Sequence, residues 1–354
     1  MIGIGSAHAG AQSQMLPKTP NTNTPLDTWS YTVVPPYVTQ TTTVNVPLGF
    51  EAGPMAKNTA CKLFNPNYIN QLDLFDRIPG APWKGCVEAR PAGLDVKIDA
   101  PDPFKADTLY VPYFWPDEPG GRNDNSYSNS YLDEATLPGF ASHDWLSILK
   151  YNTKAPNKPR IVENQSSTMG PNASCPDEVL PLASQQGKVI STINSMKHYF
   201  GGGTISSEGI MWAWRTLVGV SPFPKEEANG DRQKYIVLMT DGENMIGANN
   251  KNNTSGISDY TSYGYLFQKR LGTDKDYDKA AAALDKKMQD ACKGAKDAGI
   301  TVMAILFRET SSRAVENVQK CASAGNFYRA TDEKSLQTAF QDVASKISNL
   351  RISD

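Results

Sequence analysis

Two short stretches carry side chains suited to binding chemistry. Thr240-Asp241-Gly242-Glu243-Asn244 follows the apolar run Tyr235-Ile236-Val237-Leu238-Met239, and Gly201-Gly202-Gly203-Thr204 precedes a helical pattern. A hydroxyl and a carboxylate on two loops at one end of a sheet suit a hard divalent cation, because Mg²⁺ and Ca²⁺ take oxygen ligands. Taken alone, an acidic residue before glycine at a strand end reads as an ordinary turn. The glycines alone read as a helix C-terminus. They are no phosphate loop, since the Lys-Ser/Thr of GxxxxGK[ST] is missing.

Other chemistry is sparse. The five cysteines, Cys61, Cys86, Cys175, Cys292 and Cys321, contain no CxxC, and only His8, His143 and His198 offer imidazole, so a structural zinc site is not expected. Cys292 sits on a helical segment and Cys321 near the end of the next, while Cys86 and Cys175 stand at the two ends of a loop-rich stretch. Two disulfides, Cys292–Cys321 and Cys86–Cys175, are expected, formed in an oxidising compartment. Buried thiols are the alternative for Cys292 and Cys321. Cys61 is left over. Ser147, Ser195 and His143 occur without a G-x-S-x-G elbow, so no enzyme is expected. Asp117-Glu118 and Asp133-Glu134 read as solvated loops. Trp83, Trp115, Trp145, Trp212 and Trp214 read as core rather than as a sugar-binding platform.

The elements that must position these groups follow from periodicity. Residues 1–30 read as a disordered N-terminal segment, Pro-, Thr-, Asn- and Gln-rich from Gly10 to Asp27. Two β-branched runs, 31–37 and 41–47, predict a hairpin whose prolines place it at an edge. From about 48 to 178 aromatic islands lie among Pro, Gly, Asn and Asp without a helical pattern, which suggests an insertion on the face of a core fold. Beyond it, Val189, Ile193, Met196 and Phe200 mark an amphipathic helix ended by the glycines at 201–203, and Ile210, Trp214 and Leu217 mark the next. The run 235–240, without alternation, predicts a strand buried on both faces. A helix through Leu284, Met288, Ala291 and Ala295 closes near Gly299. A strand at 300–307, a short helix around Val315 and Val318, and a strand at 327–330 follow. The last helix is expected to be capped by Thr331 and carries Leu336, Phe340, Val343, Ile347 and Leu350. Helix and strand in turn predict an α/β fold with a doubly wound, mostly parallel sheet. The net charge of -2 gives no footprint for nucleic acid, and no run approaches the roughly 18 apolar residues of a membrane span.

The combination of several motifs is specific. GGT leading into Trp212-Ala213-Trp214-Arg215, the strand KYIVLMTDGEN, Gly85-Cys86-Val87-Glu88-Ala89-Arg90, Leu109-Tyr110-Val111-Pro112-Tyr113-Phe114, Pro116-Asp117-Glu118-Pro119, Asn129-Ser130-Tyr131-Leu132 and Asn349-Leu350-Arg351 occur in order. Together they resemble the TadG-like (TadE/TadG) pilus-assembly family, whose members carry a von Willebrand factor A domain. The resemblance runs from about Tyr31 to the C-terminus. It implies a von Willebrand A-like domain over 31–354, interrupted by the insertion, and a non-enzymatic role in assembly of tight-adherence (Flp-type) pili. It implies a cell-envelope location, periplasmic or anchored in the inner membrane, with pilins or other pilus-assembly proteins as partners.

The family's metal-ion-dependent adhesion site combines DxSxS on the first strand, a Thr and an Asp. Thr204 and Asp241 match the last two, and Glu243 joins them as a partner-binding residue. DxSxS has no counterpart here. The first central strand is therefore expected to be missing, the chain reads as an N-terminally shortened member, and bound Mg²⁺ or Ca²⁺ would be left mostly to water. An adhesin-like ligand-binding domain and a metal-assisted hydrolase are the alternative functions.

Overall fold

The computed structural model describes residues 2–4, 31–32, 41–42, 71–91, 93–102, 108–118, 129–132, 151, 159–164, 167–196, 203–220, 222–223, 232–247 and 258–349. In chain order the elements are β1 (Ile2–Ile4), β2 (Tyr31–Thr32), β3 (Thr41–Thr42), α1 (Gln71–Asp76), β4 (Val162–Asn164), β5 (Ser167–Met169), β6 (Leu180–Ala183) and α2 (Gln186–Ser195). They continue with β7 (Gly203–Thr204), α3 (Ser206–Val218), β8 (Tyr235–Thr240), β9 (Met245–Ile246), α4 (Tyr277–Asp297), β10 (Thr301–Phe307), α5 (Ser312–Cys321), β11 (Phe327–Ala330) and α6 (Glu333–Asn349).

The fold is mixed α and β around a three-stranded parallel sheet in the order β11-β10-β8. Central β10 explains the layering. Its run Val302-Met303-Ala304-Ile305-Leu306 has no polar residue and is buried on both faces. Val302, Ala304 and Leu306 pack with Ile210, Met211 and Trp214 of α3, Met288 and Ala291 of α4, and Val318 of α5. Met303 and Ile305 point the other way, onto Leu336, Ala339, Val343 and Ile347 of α6. Helices thus cover both faces, as a sheet with apolar residues at every position demands.

The helix ends follow local chemistry. The Asp276 carboxylate accepts from the Lys279 N–H at 3.0 Å to start α4, and the Ser311 hydroxyl accepts from the Ala314 N–H at 3.4 Å to start α5. At the start of α6 the capping oxygen belongs to Asp332, which accepts from the Ser335 N–H at 2.7 Å, one residue later than the expected Thr331.

Several expectations need correction. Strand β8 is not buried on both faces: Val237 and Met239 are 40% and 44% exposed. They lie in register with Met303 and Ile305, on the α6 side, but α6 packs over β10 and β11, and β8 ends the sheet among the described residues. Helix α2 stops at Ser195, before Met196, and of its apolar stripe only Val189 is buried, whereas Ile193 and Met196 are exposed. Gly203 and Thr204 form strand β7 rather than a helix terminus. Residues 2–4, read as part of a disordered segment, pair antiparallel with β6, Ile2 opposite Ala183 and Ile4 opposite Leu180. The hairpin is present as β2 and β3, with Tyr31 opposite Thr42. Its remaining residues, and Phe200, Leu350, Cys61, Trp145 and all three histidines, lie outside the described residues.

The loop-rich stretch has a core of its own. Leu74, Phe75, Leu109, Tyr113, Phe114, Trp115, Tyr131 and Tyr151 pack with Tyr260 and Tyr265, which come from the segment between β9 and α4. It also holds short helix α1 and a 3-10 turn at Leu94–Val96. Asp117 and Glu118 are 0% exposed, contrary to the solvated-loop reading. The Asp117 carboxylate accepts from the Tyr131 and Leu132 N–H groups, both at 2.6 Å. Glu118 accepts from Trp115 Nε1 at 3.1 Å, the Asn129 N–H at 2.9 Å and the Tyr265 hydroxyl at 3.1 Å. Buried carboxylates persist only with such partners.

Candidate contact site and the cluster beneath it

The carboxyl end of β8 carries the first loop. Thr240 closes the turn with its own hydroxyl, which accepts from the Gly242 N–H at 3.3 Å. Asp241 is exposed at the tip. The chain then reverses into β9, which pairs antiparallel with β7, Gly203 opposite Ile246 and Thr204 opposite Met245. This pairing brings Gly203 and Thr204 to the segment just beyond Asp241. Gly203 must be glycine there: its φ is 78°, and a Cβ would lie 2.1 Å from the Met245 carbonyl oxygen. Among the described residues neither the Asp241 carboxylate nor the half-buried Thr204 hydroxyl has a hydrogen-bond partner.

Glu243 and Asn244 have different duties. Glu243 accepts from the Ser311 hydroxyl and, at 3.0 Å, from Arg313 Nη1. Buried Asn244 accepts from the Ser206 N–H at 3.0 Å, which fixes the start of α3, and donates to Asp285 of α4 at 3.0 Å. Arg313 also reaches the Asn244 carbonyl at 2.9 Å and Asp285 at 2.7 Å. Asn317 adds a bond to Asp285 at 2.9 Å. Sequence reasoning named Asn244 only within its stretch, without a role, and missed Asp285, Ser311, Arg313 and Asn317. Ser311 and Arg313 at i and i+2 of a helix start carry no local signal, and only the fold brings them opposite Glu243.

These donors do not assemble a cation site. Thr204 and Asp241 supply one hydroxyl and one carboxylate, Glu243 is engaged by an arginine and a serine, and among the described residues no group of three or more His, Cys, Asp or Glu side chains is placed to hold a metal. A hard cation takes about six oxygens. The described residues at this loop end therefore do not by themselves fit resident Mg²⁺ or Ca²⁺.

Beneath the loops lies a buried polar cluster. The guanidiniums of Arg90 and Arg215 stand over the Tyr110 ring, 5.0 and 5.7 Å from its centroid, and Arg215 also covers Trp212 at 4.6 Å. Both arginines clamp the 3-10 turn. Arg90 donates to the carbonyls of Leu94 and Lys97, each at 3.0 Å, and Arg215 to those of Asp95 at 3.0 Å and Lys97 at 3.3 Å. The Asp95 carboxylate accepts from Tyr263 at 2.7 Å and from Lys287 of α4. Glu88 accepts from Arg270 at 2.7 Å and from the Tyr260 hydroxyl. Burial pushes the Glu88 carboxyl up, and the neighbouring Arg270 pulls it back. Burial likewise raises Glu208, against the nearby Arg215 charge.

The stretches Cys86–Arg90, Leu109–Phe114 and Trp212–Arg215, remote in sequence, thus share one cluster. Trp115, Trp212 and Trp214 are buried in it and in the neighbouring cores, so they offer no binding platform. Ser195 donates to the Thr192 carbonyl on exposed α2, while Ser147 and His143 lie outside the described residues.

Two disulfides are present, Cys86–Cys175 with Cα atoms 5.9 Å apart and Cys292–Cys321 at 5.1 Å. The first joins two strips of the aromatic core, the second α4 to the end of α5. No helix among the described residues is long and apolar enough to cross a membrane. Comparison with protein-family models, with curated proteins and with solved structures gives no match.

Proposed function

We propose that this chain is a non-enzymatic cell-envelope protein of tight-adherence (Flp-type) pilus assembly, built on a von Willebrand A-like domain, that works by protein–protein contact at the loop end of its parallel sheet. The observation that supports this most is the buried meeting of the CVEAR, LYVPYF and WAWR stretches. The resemblance to TadG-like proteins rests on their co-occurrence, and a common core gives them a physical reason to travel together.

In this reading Asp241 and Thr204 form the contact face, because among the described residues their polar atoms are uncommitted, while Glu243 holds the loop in shape from behind. With the donors short of a cation site, Asp241 meets a hydrogen-bond donor or a basic side chain of a pilin or assembly protein directly. The envelope location draws support from the disulfides, which persist in oxidising compartments. The test is deletion of the coding gene in its source organism, followed by complementation. Surface pili should disappear, return with the parent chain and fail to return with Asp241→Lys. Pili unaffected by the deletion would reject the reading.

A further inference from the structure

The two disulfides have different surroundings. Cys292 and Cys321 are each 0% exposed, enclosed in the core of α3, α4, α5 and β10. Cys86 and Cys175 are 4% and 6% exposed, and both line a cavity of about 170 Å³ whose walls also include Tyr113, Tyr260, Ser262 and Glu208. Gly203 and Ile205 border the same space, so it lies beside strand β7 and the contact face. The Ser262 hydroxyl oxygen is buried with no hydrogen-bond partner among the described residues, which leaves its proton uncommitted in that wall. A tight interior leaves few such voids or unpaired hydroxyls.

We propose that Cys86–Cys175 is a thiol-exchange site, opened by a small thiol that enters this cavity, while Cys292–Cys321 stays closed in the folded protein. Thiol–disulfide exchange needs a thiolate in contact with a disulfide sulfur, so access governs which bond reacts. The incoming thiolate bonds to one sulfur of the pair, the Cys86–Cys175 bond breaks, and the other cysteine departs as a thiolate. A second equivalent of the thiol then attacks the mixed disulfide. The reagent leaves as its own disulfide, and two electrons have passed from the thiols to the two cysteines. Ser262 is the donor this wall offers the departing thiolate. Opening the bond removes the covalent tie between the strip carrying Glu88 and Arg90 and the turn at 170–175, and leaves there the hydrogen bonds of Asn172 with the Lys84 N–H at 3.3 Å and the Pro82 carbonyl at 2.9 Å.

The experiment holds the folded protein, without denaturant, in excess glutathione or 2-mercaptoethanol. Free thiols are trapped by alkylation at intervals and assigned by peptide mass. Cys86 and Cys175 should label at least about tenfold faster than Cys292 and Cys321, and a 2-mercaptoethanol adduct should be recovered on Cys86 or Cys175. Ser262→Ala should slow the opening severalfold at an unchanged melting temperature. Equal rates for the two bonds, faster labelling of Cys292 and Cys321, or labelling that begins only on unfolding overturns the proposal. If Ser262→Ala melts early, thiol size replaces it. Entry through a cavity this small makes 2-mercaptoethanol faster than a bulky thiol at equal thiolate concentration, and indifference to size overturns the route.

Discussion

Arg313 donates to the Glu243 carboxylate at 3.0 Å and thereby joins the turn after β8 to helix α5. The same guanidinium bonds Asp285 on α4 and the Asn244 carbonyl, so one side chain ties three elements at the loop end of the sheet. Such a fork is beyond lysine, which presents a single point charge. Arg313→Lys should lower stability by about 1–2 kcal/mol, more than an isolated exposed pair contributes. A urea titration measures it, and a variant as stable as the parent would remove Arg313 from this role.

Within one turn, neighbours should respond oppositely. Asn244→Ala strands the Ser206 N–H and removes one of the two amide donors to Asp285 Oδ1, and should cost about 1–3 kcal/mol. Asp241→Ala changes an exposed side chain with no partner among the described residues and should stay within about 0.5 kcal/mol of the parent. Neither Mg²⁺ nor Ca²⁺ should shift the melting temperature of either protein. A cation-dependent shift in the parent that Asp241→Ala abolishes would restore a metal to this loop.

The buried carboxyls set the sign of a pH dependence. Burial lifts Glu118 to about 7, against the hydrogen bonds from Trp115, Asn129 and Tyr265 that pull it down. Between the ordinary carboxyl range near 4.5 and about 7, the folded state holds a proton that the unfolded state has released. Stability from this group therefore falls as pH rises through that window. Glu88 and Glu208 are also raised and act in the same direction. Urea midpoints should decline from about pH 5 to 7, and Glu118→Gln should flatten the slope. A midpoint that climbs across the window contradicts the assignment.

Helices α3 and α4 touch through Gly294, where an added Cβ would fall 2.8 Å from the Trp214 ring. Alanine gains about 1 kcal/mol of helix propensity over glycine, but overpacking costs about 1–3 kcal/mol. Gly294→Ala should thus be neutral to destabilising, and Gly294→Ala with Trp214→Phe should recover what the single change lost. A single variant more stable than the parent would mean that the indole yields freely.

The parallel sheet and its helices were legible because their signals are local. The continuous apolar run of β10 and the 3.6-residue stripe of α4 need no partner to be recognised. The exposure of Val237 and Met239 was not legible, since whether an apolar strand is covered depends on how far α6 reaches. Nor was the burial of Asp117 and Glu118, whose polar sequence context says loop. Glu118 is sheltered by Tyr265, 147 residues away, and no window of sequence contains both. At the proposed contact face, Thr204 and Asp241 stood out by residue type, whereas the bonds of Asn244 and Arg313 are set by geometry alone.

That aromatic core has a consequence for the order of events during synthesis. Tyr113 leaves the ribosome 147 residues ahead of Tyr260, against whose carbonyl its hydroxyl closes. At about 5–20 residues per second, the wait is roughly 7 to 30 seconds. Throughout that interval Leu109, Tyr113, Phe114 and Trp115 have no partner from the closing segment, so the nascent chain presents a sticky aromatic strip to chaperones. The strip is sealed only once the stretch between β9 and α4 has emerged.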